Sequence, residues 1–461
     1  MLDDSLIRKV LSKATPPGAA FAELFVEERT SNVYALEDSR VEDVNSGREL
    51  GAGVRVVVGN RASYAYTNVL SEAALLETAE AARAGSAAAE TSPAVDLRRL
   101  EGPVTSVVQR PPDEIDAEEK VGALRRADEA ARLAGDKVRQ VLVSYADVRQ
   151  RILVAGTDGR FAEDDRTRVR LAVRVVAAEG GEIATGFEAP GHSGGFELLD
   201  RHTPEEVAGE AARKALMMLT ARPSPAGEFP VVLAPGTGGV LIHEACGHGL
   251  EADTLAKNAS VYAGKHGDRF GSDKVTIVDD ATQVGSWGSF GIDDEGTPAQ
   301  RTVLFHEGIL VGHINDLKSA ARLGAEATGN GRRQSYAHLP IVRMTNTDLV
   351  AGNDDPKEIV ASIKRGVYAA SFAGGEVNPA TGKFVFGMAE AYMIENGKVT
   401  FPIKGATLIG DGPGVLAAIE AVGPDFERNE GVCGKDGQHA PVTNGMSTVL
   451  LSRITVGGTE T

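Results

Sequence analysis

Two strand-rich stretches of this chain resemble each other at a nearly constant offset, and that repeat restricts the fold more than any other feature. GVRVVVGNR (53–61) aligns with AVRVVAAEG (172–180), and DSRVED (38–43) aligns with DGRFAE (158–163). Copies of one segment must bury the same apolar face, so both should build the same supersecondary unit. Apolar and polar residues alternate between turn residues over 21–68 and 138–189, which predicts strands in both stretches. A helix closes each block. Ser71 is placed to cap one over 71–90, and Thr203 with Glu206 forms a capping-box match at the start of 203–220. Further helices are expected over 1–13 and 117–135, the latter ended by Gly135. The first ~220 residues therefore read as a duplicated β-rich unit with helices packed on its sheets.

The 461 residues exceed one ordinary core, so two large domains are expected. Residues 91–115 hold four prolines and look like a crossing segment. The Pro-rich ARPSPAGEFP (221–230) marks the boundary between an N-terminal domain, 1–222, and a C-terminal domain, 223–461. Beyond it come short strands such as KVTIVDD, RTVLFHEGILVG and STVLLSRITVGG, with few helical pieces. The class is α+β, with a β-dominated second domain.

Bulk properties exclude several functions. The net charge of −17 argues against a nucleic-acid footprint, which needs a basic face. No run of 18 apolar residues offers a transmembrane helix, and no secretory or lipidation signal is apparent at the start. Cys246 and Cys433 are the two cysteines, which implies no disulfide framework and suits the reducing cytoplasm.

The chemistry concentrates in HEACGHGLEAD, residues 243–253. Catalytic zinc takes three protein ligands, and a carboxylate next to one of them can act as general base. In H-E-x-x-H, four residues turn about 400°, so the two imidazoles share a helix face. Here the spacing is H-E-x-x-x-H. Five residues turn about 500°, leaving the rings about 140° apart on a regular helix. A metal site on His243 and His248 therefore requires a distorted helix. Either a π-bulge or a break at Gly247 would supply the distortion. Cys433 in GVCGKDGQHAPV, His439 in the same glycine-rich loop, Asp253 and Glu251 are all available as a third ligand. Cys246, between the histidines, turns away from His243 and reads as a small packed residue.

Other motifs are weaker. GHSGG (191–195) matches G-x-S-x-G, but no helix follows at once as a nucleophile elbow needs. GDGPG (410–414) reads as a turn rather than a phosphate loop. The Asp pairs beginning at 279, 293 and 354 read as solvated loop carboxylates. Trp287 reads equally as packing anchor or cleft wall, and Arg343 as substrate contact or core salt bridge. His266, His306, His313 and His338 read as ordinary histidines.

Taken together, HEACGHGLEAD, GVCGKDGQHAPV, DDEGTPAQRTVLFHEGILVGHINDLKSA, RMTNTDL, FGMAEAYMIENGKVTFPIKGATLIGDGP and ITVGGTE resemble the TldD/PmbA family of metallopeptidases, specifically its TldD-type subunit. The resemblance spans nearly the whole chain and is strongest from 230 to 461. It implies a zinc ion held by His243, His248 and Cys433, with Glu244 as general base. It also implies a two-domain α+β chain acting on unfolded or extended peptides, as a dimer with a TldE/PmbA-type paralogue or with itself. A non-catalytic peptide-binding subunit with a structural zinc is the competing reading, which the presence of Glu244 disfavours.

Overall fold

In the computed structural model, which describes residues 2–16, 19, 21–59, 61–86 and 96–459, the sequence repeat reappears as a symmetry of strand order. The first copy contains α1 (Asp4–Ala14), β1 (Phe21–Glu37), β2 (Arg40–Val58), β3 (Arg61–Thr67) and α2 (Glu72–Ala84). The second contains α3 (Ala117–Leu133), β4 (Val138–Gly156), β5 (Arg160–Glu179), β6 (Glu182–Glu188) and α4 (Pro204–Leu219). The leading strands of the two copies, β1 and β4, pair antiparallel from Glu23↔Gly156 to Glu37↔Leu142. Hairpin partners then extend the sheet outward on both sides, giving β3-β2-β1-β4-β5-β6. The final residues of the helix expected over 71–90, and the start of the crossing segment, lie outside the described residues.

Each copy covers its half of the sheet with its own helices. Ile7, Val10 and Leu11 of α1 and Leu75, Ala79 and Ala82 of α2 pack on Leu24, Val26, Val54 and Val56. In the second copy, alanines 123, 127 and 131 of α3 and 208, 211, 212 and 215 of α4 pack on Val143, Leu171, Val173 and Val175. Alanine on both helices permits close approach. A Cβ added to Gly186 of β6 would lie 1.9 Å from the Ala211 carbonyl oxygen. The expected capping box at Thr203 and Glu206 is present.

Side chains alternate along a strand, so the other face of β1 shows Glu23, Phe25 and Glu27. All three are fully buried, because this face docks on the C-terminal half. Arg166 of β5 pairs there with Asp294, and Arg333 pairs with Glu23.

The C-terminal half is built on two large sheets and a two-stranded one, Gly331–Arg332 with Ile341–Val342. In one large sheet, β7 (Gly227–Leu233), β8 (Arg365–Val377), β9 (Lys383–Glu395), β10 (Thr407–Asp411) and β11 (Val449–Gly457) pair in a circuit that closes from β11 back to β7. Closure leaves no free edge within that circuit. Its apolar interior includes Val231, Leu233, Val367, Phe386, Leu408 and Val456. The other is six-stranded and ends in a hairpin, Glu427–Lys435 with Gln438–Met446. Residues Arg222–Pro223 pair with Ile403–Lys404, so the Pro-rich stretch is tied into the first of these sheets. Among the described residues no helix is long and apolar enough to cross a membrane.

Candidate metal centre

The helix expected over the motif is interrupted where the chemistry sits. An α-helical turn, Gly239–Ile242, widens into a π-turn over His243–Gly247 and then tightens into a 3₁₀ turn, His248–Leu250. A separate short helix follows at Ala252–Leu255. One extra residue per turn brings positions five apart onto one side. The His243 and His248 rings accordingly stand 5.1 Å apart at 87°. Of the two distortions anticipated, the π-bulge is the one present. Gly247 keeps right-handed helical angles, φ −56 and ψ −57, and so breaks nothing. Its lack of a side chain serves packing instead, since a Cβ there would lie 1.9 Å from Met344 Sδ. Leu241, Ile242, Ala245 and Cys246 anchor the turn in the main C-terminal core. Cys246 donates to the Ile242 carbonyl at 3.1 Å and belongs to that core, as expected.

Cys433 arrives from the other sheet. It lies within a strand, paired with Ala440, and not in the glycine-rich loop the sequence suggested. Its Sγ is 3.3 Å from His243 Nε2 and 3.3 Å from His248 Nε2. The three donor atoms lie within 4.8 Å of one another; His243 and Cys433 are buried, and His248, at 9% exposed, is nearly so. Arg343 fixes the strand by donating to the Cys433 carbonyl at 2.5 Å and the Gln438 carbonyl at 3.2 Å. Arg343 is 1% exposed and pairs with carbonyls rather than with a carboxylate among the described residues.

The other third-ligand candidates stay outside this cluster. His439 is exposed on the opposite face of the hairpin. Glu251 Oε2 accepts from His248 Nδ1 at 3.1 Å, and Asp253 Oδ1 accepts from Lys435 at 2.8 Å. Lys435 was not singled out from the sequence, although it stands two residues after Cys433 and so shares its strand face.

The donor set fits zinc. Two imidazole nitrogens and one sulfur are borderline-soft donors, and no other group of three or more His, Cys, Asp or Glu is so gathered among the described residues. Tetrahedral bonds of about 2.0–2.1 Å to nitrogen and 2.3 Å to sulfur put N and S about 3.5 Å apart. The observed 3.3 Å is close to that value. Burial disfavours a Cys433 thiolate, but the charge and hydrogen bonds of His243 and His248 outweigh it and bring the thiol down to about 4. Glu244 lies at the rim with its Oε2 3.8 Å from His248 Nε2. Burial raises its pKa, against the opposing pull of His243 and His248.

The remaining sequence candidates form no second site. Asp279, Asp280, Asp293 and Asp294 are buried and hydrogen-bonded, not solvated loop carboxylates. Asp279 accepts from Asn330 and Thr345, and Asp293 from the backbone of Glu295, Thr297 and Gly331. Ser193 is buried in a short strand, away from any nucleophile elbow. Asp411 caps the helix Gly412–Ala418, so GDGPG is a helix start rather than a simple turn. Trp287 packs over Gly191 and under Arg170 as an anchor of the contact between the two halves.

Comparison with known proteins places this geometry in a family. Models of the PmbA/TldA metallopeptidases match in three parts: domain 1 over residues 22–86, the central domain over 110–219 and the C-terminal domain over 226–458. The chain belongs to the PmbA/TldD metallopeptidase family. Within it, the chain is 40% identical over 452 residues to a metalloprotease TldD homologue of Haemophilus influenzae, covering 95% of this chain and 93% of that one. A metalloprotease of Methanocaldococcus jannaschii is 35% identical over 430 residues, 92% of this chain and 94% of its own. Likeness to TldD homologues marks the chain as TldD-type. Among solved structures, a Thermotoga maritima protein described as a modulator of DNA gyrase superposes with a TM-score of 0.80 at 21% identity, covering 98% of this chain and 100% of that one. TldE of Thermococcus kodakarensis does so with a TM-score of 0.74 at 19% identity, over 95% and 97%. At these identities the likeness is one of fold.

Proposed function

We propose that this protein is a zinc metallopeptidase that hydrolyses peptide bonds in unfolded or extended peptides. His243, His248 and Cys433 would hold the metal, and Glu244 would be the general base. The observation that carries this reading is the convergence of His243 Nε2, His248 Nε2 and Cys433 Sγ from two distant segments, with Glu244 beside them. Bound zinc supplies Lewis-acid polarisation of a peptide carbonyl and makes water easier to deprotonate. Glu244 Oε2 takes the proton from the attacking water and returns it to the leaving amine. The buried walls around the site strengthen each electrostatic contact by excluding solvent. An extended substrate can add as a strand along a free sheet edge, using backbone hydrogen bonds that tolerate many sequences.

The thiolate role of Cys433 suits a reducing compartment, and both cysteines are free. We assign the protein to the cytoplasm on that ground. A dimer with itself or with a TldE/PmbA-type paralogue remains our expectation, for which the fold likeness to a TldE is support.

The test is Glu244→Ala, assayed for zinc content by mass spectrometry and for cleavage of an unstructured peptide. Zinc at wild-type stoichiometry with cleavage lower by about 10²–10⁴-fold is expected for loss of a general base. Cleavage at the wild-type rate would remove Glu244 from the chemistry and favour a structural metal.

A further inference from the structure

Two imidazoles share the cluster, and their outer nitrogens are treated differently. His243 Nδ1 is buried with no hydrogen-bond partner. His248 Nδ1 faces Glu251 Oε2 at 3.1 Å. Glu251 is 1% exposed, and its other oxygen, Oε1, has no partner. Its hydrogen bonding is therefore concentrated on the oxygen that meets His248. That same Oε2 lies 3.0 Å from Lys435 Nζ, which also reaches Asp253 Oδ1 at 2.8 Å and the Val342 carbonyl at 3.1 Å. Lys435 and Cys433 are two apart on one strand, so their side chains leave the same face. A continuous path thus runs from His248 through Glu251 and Lys435 to the strand that carries the sulfur.

We propose that Glu251 and Lys435 are positioning residues for the metal site. Glu251 accepts the Nδ1–H of His248, which fixes the ring in the orientation that turns Nε2 toward Cys433 Sγ and leaves that nitrogen to serve a metal. Lys435 holds the Glu251 carboxylate in that orientation and ties the Cys433 hairpin to the segment just after the motif. Partners of this kind orient metal-binding histidines and raise their basicity. A staple alone would not need Glu251, because Lys435 already pairs with Asp253 at 2.8 Å. This inference rests on the zinc reading of the site given above.

The experiment measures the zinc dissociation constant of the metal-free full chain by competition with a chromophoric chelator. Wild type is compared with Glu251→Leu, Glu251→Gln and Glu251→Leu/Lys435→Met. The absorption spectrum of each with cobalt(II) reports the ligand field directly. Glu251→Leu and the double variant are expected to bind zinc 10–100-fold more weakly, with shifted cobalt bands. Glu251→Gln keeps an acceptor for Nδ1–H and should fall between them and wild type. The double variant leaves neither Glu251 nor Lys435 charged and alone, and Asp253, whose side chain is 24% exposed, can turn to solvent, so metal-free unfolding should stay near that of wild type. Its weaker zinc binding would then report orientation, not loss of fold. Wild-type affinity and an unchanged cobalt spectrum in both the double variant and Glu251→Gln would reduce the pair to a staple and overturn the inference. A wild-type chain that takes up neither zinc nor cobalt would overturn the underlying zinc reading as well, which separates the two failures.

Discussion

Glu23, Arg55, Arg166, Asp294, Glu295 and Arg333 are buried where the N-terminal sheet meets the C-terminal half, and each of these charges faces an opposite one. Arg55 lies 2.8 Å from Glu23 and 2.5 Å from Glu295, Arg333 lies 2.5 Å from Glu23, and Arg166 lies 2.8 Å from Asp294. Burial alone would raise the Glu23 pKa, but Arg55, Arg333 and Arg160 overcome it and lower it. The cluster of His243, His248 and Cys433 is nearly as buried yet differently composed. It gathers lone pairs around one point where the interface matches cations with anions. Burying polar atoms is costly in both places. The interface meets the cost by internal neutralisation, and the site does so in a form that suits a cation. A buried ionic network and a metal centre can thus be told apart by whether the polar atoms answer one another or converge.

Four measurements bear on that contrast. Arg333→Met should have the largest effect, because it leaves Glu23 short of a partner in a sealed interface. A loss of about 3–5 kcal/mol in urea unfolding is expected, with zinc content per folded chain unchanged. A loss of zinc as well would mean that the two clusters are coupled. At free zinc a hundredfold above its dissociation constant, zinc should stabilise the wild type by about 2.7 kcal/mol. That increment should vanish in Cys433→Ala, along with stoichiometric zinc in mass spectrometry. Zinc retained by Cys433→Ala would move the third ligand elsewhere. Gly247→Ala forces a methyl onto Met344 in the π-turn and should cost about 1–3 kcal/mol, with zinc affinity falling in parallel. Unaltered affinity would show that the bulge tolerates repacking. Lys9→Ala removes an exposed pair with Glu72, the two side chains being 55% and 53% exposed. Its unfolding midpoint should shift by less than about 0.5 kcal/mol, which calibrates the buried pairs against a solvated one.

Much of this organisation was legible in the sequence where the signal was local. Val-Arg-Val-Val in both copies announced the repeat, and Thr203 with Glu206 announced a helix start. The five-residue spacing of the two histidines demanded a distorted helix, and a π-turn is present. Signals that depend on distant partners were harder to read. Nothing near Asp279 or Asp293 shows that Asn330, Thr345 and Gly331 will surround them, so buried carboxylates looked like loop residues. Gly434 and Gly437 suggested a loop around Cys433, whereas the segment folds back as a hairpin that Arg343 secures. The strand order β3-β2-β1-β4-β5-β6 likewise follows from how two copies meet, which no single copy encodes.

The separation of the cluster along the chain also has a consequence for biosynthesis. His243, Glu244 and His248 are translated long before Cys433 and Lys435, and β11, which closes the strand circuit against β7, runs to Gly457. A nascent chain that has already made the motif lacks the sulfur, the lysine and the strand that completes the surrounding core. Late assembly leaves the three-residue cluster incomplete until nearly the whole chain has been made.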